Sequence, residues 1–233
     1  MDLILQGIGG GVAKLAALDP YVLEVAGASL IVSGVATVFA VITGVPLGAL
    51  IGLTRFRGRG LLLSLVNTGM GLPPVAVGLF VVVLLWRSGP LGDQNWYCTR
   101  QGMVIAQYLL AVPAVIGLTA IALQSMDPLL RTQLLSLGAT RWQAAWLLIR
   151  ESRLLVIGAV IAGFGAVISE VGASQMVGCN IKGDTRILTT AITLETSKGE
   201  FGNAFALAFI LLAIIFAITA FFTFTQQRRP HLG

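Results

Sequence analysis

GASLIVSGVATVFAVITGVPLGALIG, residues 27–52, decides the class of fold that this chain adopts. It contains no Asp, Glu, Lys or Arg, and the uncharged run around it extends from residue 25 to residue 54. About 20 apolar residues in a helix are enough to cross the hydrocarbon of a membrane. The frequent Gly, Ala and Ser allow neighbouring helices to approach closely. The stretch therefore predicts a membrane-spanning helix inside a packed bundle.

The composition of the whole chain indicates the same class. Of its 233 residues, 56% are hydrophobic and 11% are charged, and the mean hydropathy is +0.90, more apolar than a soluble domain requires. Two cysteines and one histidine are too few for a Cys/His metal cluster. The glycine-rich stretches GIGGG and TGMGLPP lack the Lys-Ser/Thr ending of a phosphate-binding loop. We expect no catalytic residue, cofactor or metal in this chain.

Uncharged runs predict an all-α polytopic bundle of about five spans, at residues 25–54, 60–86, 101–126, 154–175 and 203–226. The uncharged part of the fourth span, 154–169, has only 16 residues and a length of about 24 Å, so the span is expected to continue past Glu170. Prolines 46, 73, 74 and 113 tend to kink the spans that contain them. Residues 1–24 are then an external segment, 25–227 one transmembrane domain, and 228–233 a cytoplasmic tail with His231, to which no role is assigned.

The distribution of basic residues predicts the orientation. With five spans, nine of the fifteen Lys and Arg fall on one side, and the connector RFRGRG holds three of them. The positive-inside rule makes that side cytoplasmic, the N-terminus external and the C-terminus internal. These arginines are interpreted as anchors at lipid headgroups, since a nucleic-acid partner would need a soluble basic face.

The segment DPLLRTQLLSLGATRWQAAW, within the loop at 127–150, is more polar than the spans around it. Asp127 before Pro128 predicts a helix start, Gly138 a break, and TRWQ from residue 140 a capping box that starts a second helix. Apolar residues are spaced as helical stripes, at 129, 130, 134 and 137 and at 142, 145, 146 and 149. Two interpretations stay open, an amphipathic turn in the headgroups and a rigid docking element for another protein.

Polar side chains inside the spans are candidates for a translocation path: Ser64, Asn67, Thr68, Gln107, Glu170 and Ser174. Neutral hydrogen-bonding groups can pass an oxyanion along, and interhelical hydrogen bonding is an equally good interpretation. Glu170 is an intramembrane acid, which by default suggests function. Because a bare carboxylate repels an anion, a structural role is favoured for Glu170 over a gate.

The segment NIKGDTR, residues 180–186, predicts an external turn at Gly183. Its Lys182 and Arg186 are candidates for contact with an external binding protein, and a solvated loop is the alternative. The following ILTTAITLETSKG predicts a short outer helix that ends at Lys198 and Gly199. Cys98 and Cys179 both fall on the predicted outer side, and with no evidence of proximity they are expected to be unpaired.

The loop resembles the cytoplasmic EAA loop of type I ABC importer permeases, through LGATRWQA around Gly138. Its opening differs, because Thr132, Gln133 and Leu134 stand where that motif has an acid and two alanines. LVNTGMGLPPVAVGL (residues 65–79), SGPLG (residues 88–92) and ISEVGASQMVGCNIKGDTRILTTAITLETSKGEF (residues 168–201) resemble the tungstate permeases, relatives of the molybdate permeases.

The resemblance implies a type I ABC permease fold in the cell inner membrane. It also implies a homodimer, cytoplasmic ATPase subunits, an external binding protein that delivers tungstate, and alternating access driven by ATP. The ATPase would then contact the coupling residues of the loop, namely Leu137, Gly138, Ala139, Thr140, Arg141 and Trp142. The alternatives are a permease for molybdate, sulfate or another oxyanion, and a membrane scaffold that transports nothing.

Overall fold

The computed structural model describes residues 19–227 together with Gly9, Gly10, Ala13 and Ala17. The described part of the chain is helical and contains no strand, so the all-α prediction is confirmed. Its helices are α1 (Pro20–Leu53), α2 (Arg59–Met70), α3 (Pro74–Leu85), α4 (Arg100–Gln124), α5 (Pro128–Ser136), α6 (Arg141–Glu151), α7 (Arg153–Ile168), α8 (Gly172–Gly178), α9 (Leu188–Ser197) and α10 (Phe201–Gln227). A 3₁₀ turn, Gly92–Gln94, lies between α3 and α4.

Three helices, α1, α4 and α10, are continuous and apolar enough to cross a membrane. Two further pairs meet the same criteria only as bent units: α2 with α3, at 99°, and α6 with α7, at 71°. The described residues therefore hold three spans, or up to five if each bent pair is counted as one.

The predicted helix bounds differ from the structure at three places. Helix α1 begins at Pro20, before the predicted start at 25, because the Asp19 carboxylate accepts hydrogen bonds from the backbone N–H groups of Tyr21 and Val22. The predicted second span is interrupted between Met70 and Pro74, where proline removes a backbone donor. The predicted fourth span does not continue through Glu170, because α7 ends at Ile168 and a separate α8 begins at Gly172. The tail at 228–233, with His231, and most of residues 1–24 lie outside the described residues.

The centre of the bundle is the contact between α1 and α4, and glycines permit it. A Cβ on Gly48 would lie 2.6 Å from the Ile116 carbonyl oxygen, and one on Gly44 would lie 2.9 Å from Val115 Cγ1. Because those distances are too short for a carbon, the two helices come closest where α1 has glycine in place of a side chain. The small-residue stripe of residues 27–52 therefore serves the helix packing that the sequence predicted.

Helices α3 and α8 are packed just as closely on the other side of α4. A Cβ on Gly78 would lie 2.7 Å from Ala173 Cα, and one on Gly172 would lie 2.7 Å from Val75 Cγ2. A buried apolar cluster that includes Val77, Val81, Ala106, Ala173 and Val177 fills the space between these helices and α4. The two chain breaks, at 71–73 and at 169–171, are thus brought close together.

Candidate functional site

The loop between α4 and α7 is a helical hairpin, α5–Gly138–α6. The Asp127 carboxylate accepts from Leu129 N at 2.9 Å, and Gly138 has a φ of 87°, a left-handed conformation that glycine adopts without strain. Thr140 and Gln143 form a reciprocal capping box, with N···O distances of 2.8 and 3.3 Å. The predicted helix start, break and second start are all confirmed.

One face of this hairpin is anchored to the bundle. Leu134, Leu148 and Ile149 pack in a cluster with Ala49 of α1 and Leu123 of α4. These contacts hold the hairpin against the ends of the two central helices. The anchoring face of α6 includes Leu148 and Ile149, and of these only Ile149 belongs to the apolar stripe that the sequence indicated.

The opposite face of the hairpin is apolar and uncovered. Leu137 is 85% exposed, Trp142 is 87% exposed and Trp146 is 68% exposed. These three side chains lie around Gly138 and along one side of α6, since residues 142 and 146 are one turn apart. A cleft of about 580 Å³ separates α5 from the α6–α7 bend and is lined by Leu130, Gln133, Leu134, Leu137, Leu147, Leu148, Arg150, Glu151 and Arg153. Exposed large apolar side chains in such a group are typical of a protein interface.

A polar stripe runs along α2, made of Ser64, Asn67 and Thr68. Their spacing of three and four residues places them on one helix face, and all three are exposed on the single chain. Only Val66 of α2 is buried, against α4. The polar stripe is therefore an uncovered strip of hydrogen-bonding groups at the middle of a broken span.

The other three candidates form one buried chain of hydrogen bonds. The Glu170 carboxylate, in a residue only 6% exposed, accepts from Ala173 N at 2.7 Å, Ser174 N at 3.0 Å and Ser174 Oγ at 2.9 Å. Gln107 Nε2 of α4 donates to Ser174 Oγ at 3.0 Å. Gln107 Oε1 has no hydrogen-bond partner among the described residues.

This geometry fits a local structural role for Glu170, which the sequence argument had favoured. Its carboxylate binds the free N–H groups at the start of α8, where a negative charge is stabilised by the helix dipole. Its own carbonyl oxygen accepts from Thr189 Oγ1 of α9 at 2.9 Å. Glu170 thus joins the break at 169–171 to α4, α8 and α9, a link that sequence spacing alone could not reveal.

The turn at 180–186 is held by side chains of its own and by two from neighbouring segments. Gly183 has a φ of 87°, as the predicted turn requires. Arg186 Nε donates to Asn180 Oδ1 at 3.2 Å, and Lys182 Nζ lies 5.9 Å from the centroid of the Tyr21 ring. Arg100 pairs with Asp184 at 3.4 Å. Lys182 is exposed, whereas Arg186 is partly buried, so the two candidates for external contact differ in accessibility.

The expectation of unpaired cysteines is wrong. Cys98 and Cys179 form a disulfide with a Cα–Cα distance of 5.1 Å. Cys98 N also donates to the Val177 carbonyl oxygen at 2.9 Å, which brings the segment before α4 against the end of α8. The separation of 81 residues contains no local signal for this pairing, because only the packing of α3, α4 and α8 creates it.

Comparisons with known proteins agree with this architecture. The model of the family described as "Binding-protein-dependent transport system inner membrane component" matches residues 44–229. A probable anion ABC transporter permease protein of Haloferax volcanii is 37% identical over 215 residues, covering 90% of this chain and 93% of that protein. The tungstate uptake system permease protein TupB of Peptoclostridium acidaminophilum is 38% identical, covering 94% and 96%. The molybdenum transport system permease protein ModB of Escherichia coli is 30% identical, covering 80% and 88%.

A helical membrane bundle with an anchored, apolar-tipped hairpin and this set of relatives fits a permease of the ABC transporter class. The chain belongs to the family of binding-protein-dependent transport system inner membrane components. It is a multi-pass protein of the inner membrane, and the ATPase of such a transporter is a separate subunit.

Proposed function

We propose that this chain is the permease of a tungstate importer, delivering the oxyanion through the membrane by alternating access. The support for this substrate is the similarity to tungstate uptake permeases over nearly the full chain, at 38% and 33% identity. The transported dianion would meet neutral hydrogen-bond donors on α2, which can bind an oxyanion without holding it as a fixed charge would.

We further propose that the hairpin tip is the contact for the ATPase, through Leu137, Gly138, Ala139, Thr140, Arg141 and Trp142. The observation that carries this part is the exposure of Leu137 and Trp142 on a hairpin whose other face is anchored to α1 and α4. Large apolar side chains on a rigid support lose little conformational entropy when they are buried by a partner. A force on the tip is thereby delivered to the ends of the two central helices.

A homodimer is proposed because the polar stripe of α2 must be shielded from lipid tails. Asn67 and Thr68 would be costly against lipid tails, where polar groups lack hydrogen-bond partners. A second copy placed against this face encloses a path between the two stripes, lined by Ser64, Asn67 and Thr68. Gln107, Glu170 and Ser174 lie behind the path, and in this proposal they support its wall without touching the anion.

The proposed orientation puts the hairpin and the C-terminus in the cytoplasm and the N-terminus outside. The arginines of the 54–60 connector and of the hairpin favour that side, by the positive-inside rule. The disulfide supports an external position for the 98–100 and 178–180 segments, since disulfides persist in oxidising compartments. Lys182 and Arg186 then face the external binding protein, where Lys182 offers the accessible charge.

The test is ATP-driven uptake of labelled tungstate into vesicles that hold the chain with its ATPase and binding protein. Competition with molybdate separates the tungstate proposal from a molybdate importer, which the 30% identity to a molybdenum permease favours as the second candidate. Uptake of neither oxyanion, with the ATPase still captured, would contradict oxyanion transport and leave a scaffold role.

A further inference from the structure

The carboxyl end of α1 is held by two arginines that come from different parts of the chain. Arg59 Nε donates to the Ile51 carbonyl oxygen at 2.8 Å, and Arg131 Nη1 donates to the Leu53 carbonyl oxygen. Arg59 is the first residue of α2, which carries the polar stripe, and Arg131 lies on α5, within the hairpin. Both arginines are partly buried.

The chemistry of a helix end explains why these contacts form. The last four carbonyl groups of a helix lack partners within the helix. In α1, Thr54 N and Oγ1 both donate to the Leu50 carbonyl oxygen, and the arginines donate to those of Ile51 and Leu53. A cation is also stabilised by the negative end of the helix dipole. The planar guanidinium fixes the direction of its hydrogen bonds more strictly than an ammonium group does.

The arginine contact of α5 lies beside its apolar anchor. Leu134, one turn along α5 from Arg131, packs in the cluster that contains Ala49 of α1. The hairpin is therefore attached to the end of α1 at two points of different chemistry. The apolar contact can slide, whereas the hydrogen bond from Arg131 requires a defined position of the Leu53 carbonyl.

We infer that Arg131 and Arg59 are positioning residues that transmit displacement of the hairpin to α2 through the carboxyl end of α1. Arg131 joins α5 to that end, and Arg59 joins the same turn to the start of α2. The two arginines touch neither anion nor nucleotide. The inference rests on the proposed function, in which the hairpin receives the ATPase and the polar stripe of α2 lines the path.

The experiment measures movement at α2 directly and does not depend on which substrate is carried. Asn67→Cys, on the polar stripe, is labelled with a water-soluble maleimide in the assembled complex with ATPase and binding protein, with and without ATP. Both native cysteines are paired, so the introduced thiol is the reactive one. With both arginines intact, ATP is expected to change the labelling rate about five-fold or more, the range of typical coupling between sites.

Adding Arg131→Gln is expected to abolish the effect of ATP on labelling while the ATPase is still captured. Arg59→Gln, which lies outside the hairpin, is expected to do the same. Arg131→Lys keeps the cation without the planar donor and is expected to retain part of the effect. Arg57→Gln, an exposed arginine of the same connector, is the matched control and should leave the effect of ATP intact.

An undiminished effect of ATP on labelling in Arg131→Gln and Arg59→Gln would overturn the proposed transmission from the hairpin to α2, here called the relay. The absence of any effect of ATP with both arginines intact would overturn it as well. Captured ATPase and an intact disulfide in each variant show that the chain has folded, and Arg59→Gln still tests the relay if Arg131→Gln fails to assemble. Oxyanion uptake by the unsubstituted complex reports separately on the proposed function, so that function and relay can fail independently.

Discussion

The two ends of this bundle differ in which side chains point inward and which point outward. At the block of residues 168–190, polar groups point inward: Glu170, Thr185 and Thr189 are buried and hydrogen-bonded, and a disulfide closes the edge. At the hairpin, apolar groups point outward: Leu137 and Trp142 are almost fully exposed. The first arrangement fixes one chain conformation, and the second leaves a surface for a partner. Substitutions in the first region should therefore reduce stability, and those in the second should reduce assembly.

Removing the disulfide is expected to have the largest effect. Cys98→Ser with Cys179→Ser frees a closed loop of 81 residues, which the chain-entropy relation values at about 4.5 kcal/mol of unfolding free energy. The measurement is thermal unfolding in detergent, with Ser125→Ala, a single substitution outside the block, as the control. ATPase capture at low temperature should survive. An unchanged melting temperature would contradict the claim that the 168–190 block, unlike the hairpin, contributes to stability.

Replacing the buried Glu170 carboxylate is expected to have the next largest effect on stability. Glu170→Ala leaves the N–H groups of Ala173 and Ser174 without their acceptor, at a cost of about 2–3 kcal/mol. Glu170→Gln keeps one acceptor oxygen and should cost less. Thermal unfolding compares the two variants, and equal stability of Glu170→Ala and the native chain would show that the network is not structural.

Truncating the hairpin tip tests the other end of the bundle, where assembly and not stability should change. Trp142→Ala is expected to weaken ATPase capture by about 30-fold, equivalent to about 2 kcal/mol for a buried interface tryptophan. The melting temperature of the isolated chain should not change, since Trp142 is 87% exposed. Phe216→Ala, another highly exposed aromatic in α10, is the matched control for capture in titrations with purified ATPase. Full-strength capture by Trp142→Ala would remove the docking role.

The capping box provides the smallest test. Thr140→Ala loses the hydrogen bond that Gln143 N donates to Thr140 Oγ1 and should destabilise the start of α6 by about 1 kcal/mol. Thr140→Ser keeps the bond. Amide hydrogen exchange over 140–146 is expected to accelerate in the Ala variant alone. Equal exchange in both variants would mean that ATPase contact, and not the cap, orders the hairpin.

The sequence was sufficient for features determined by near neighbours. The hairpin's caps and its glycine break follow from residues one to four positions apart, so Asp127, Gly138 and Thr140 could be placed correctly. The uncharged runs likewise predicted helices, because the cost of burying charge in lipid acts on every residue of a run.

Features that depend on distant packing could not be predicted. The disulfide joins residues 81 positions apart, and Gln107 reaches Ser174 across 67 positions. The interruption after Ile168 was also missed, because span length argued for a continuous helix while the Glu170 carboxylate favoured a new helix start at Gly172. The direction of the Trp142 side chain was left open by the sequence, because helical spacing identifies a stripe without saying which side of it is covered.

The glycine-lined contact of α1 with α4 has a mechanical consequence. With Gly44 and Gly48 leaving no room for a single added carbon, a rotation of α1 that turned a side chain into this contact would collide with α4. Movement of the two helices together as one unit avoids that collision. The backbone is already interrupted at 71–73 and 169–171, and bending at those two joints would leave the contact of α1 with α4 intact.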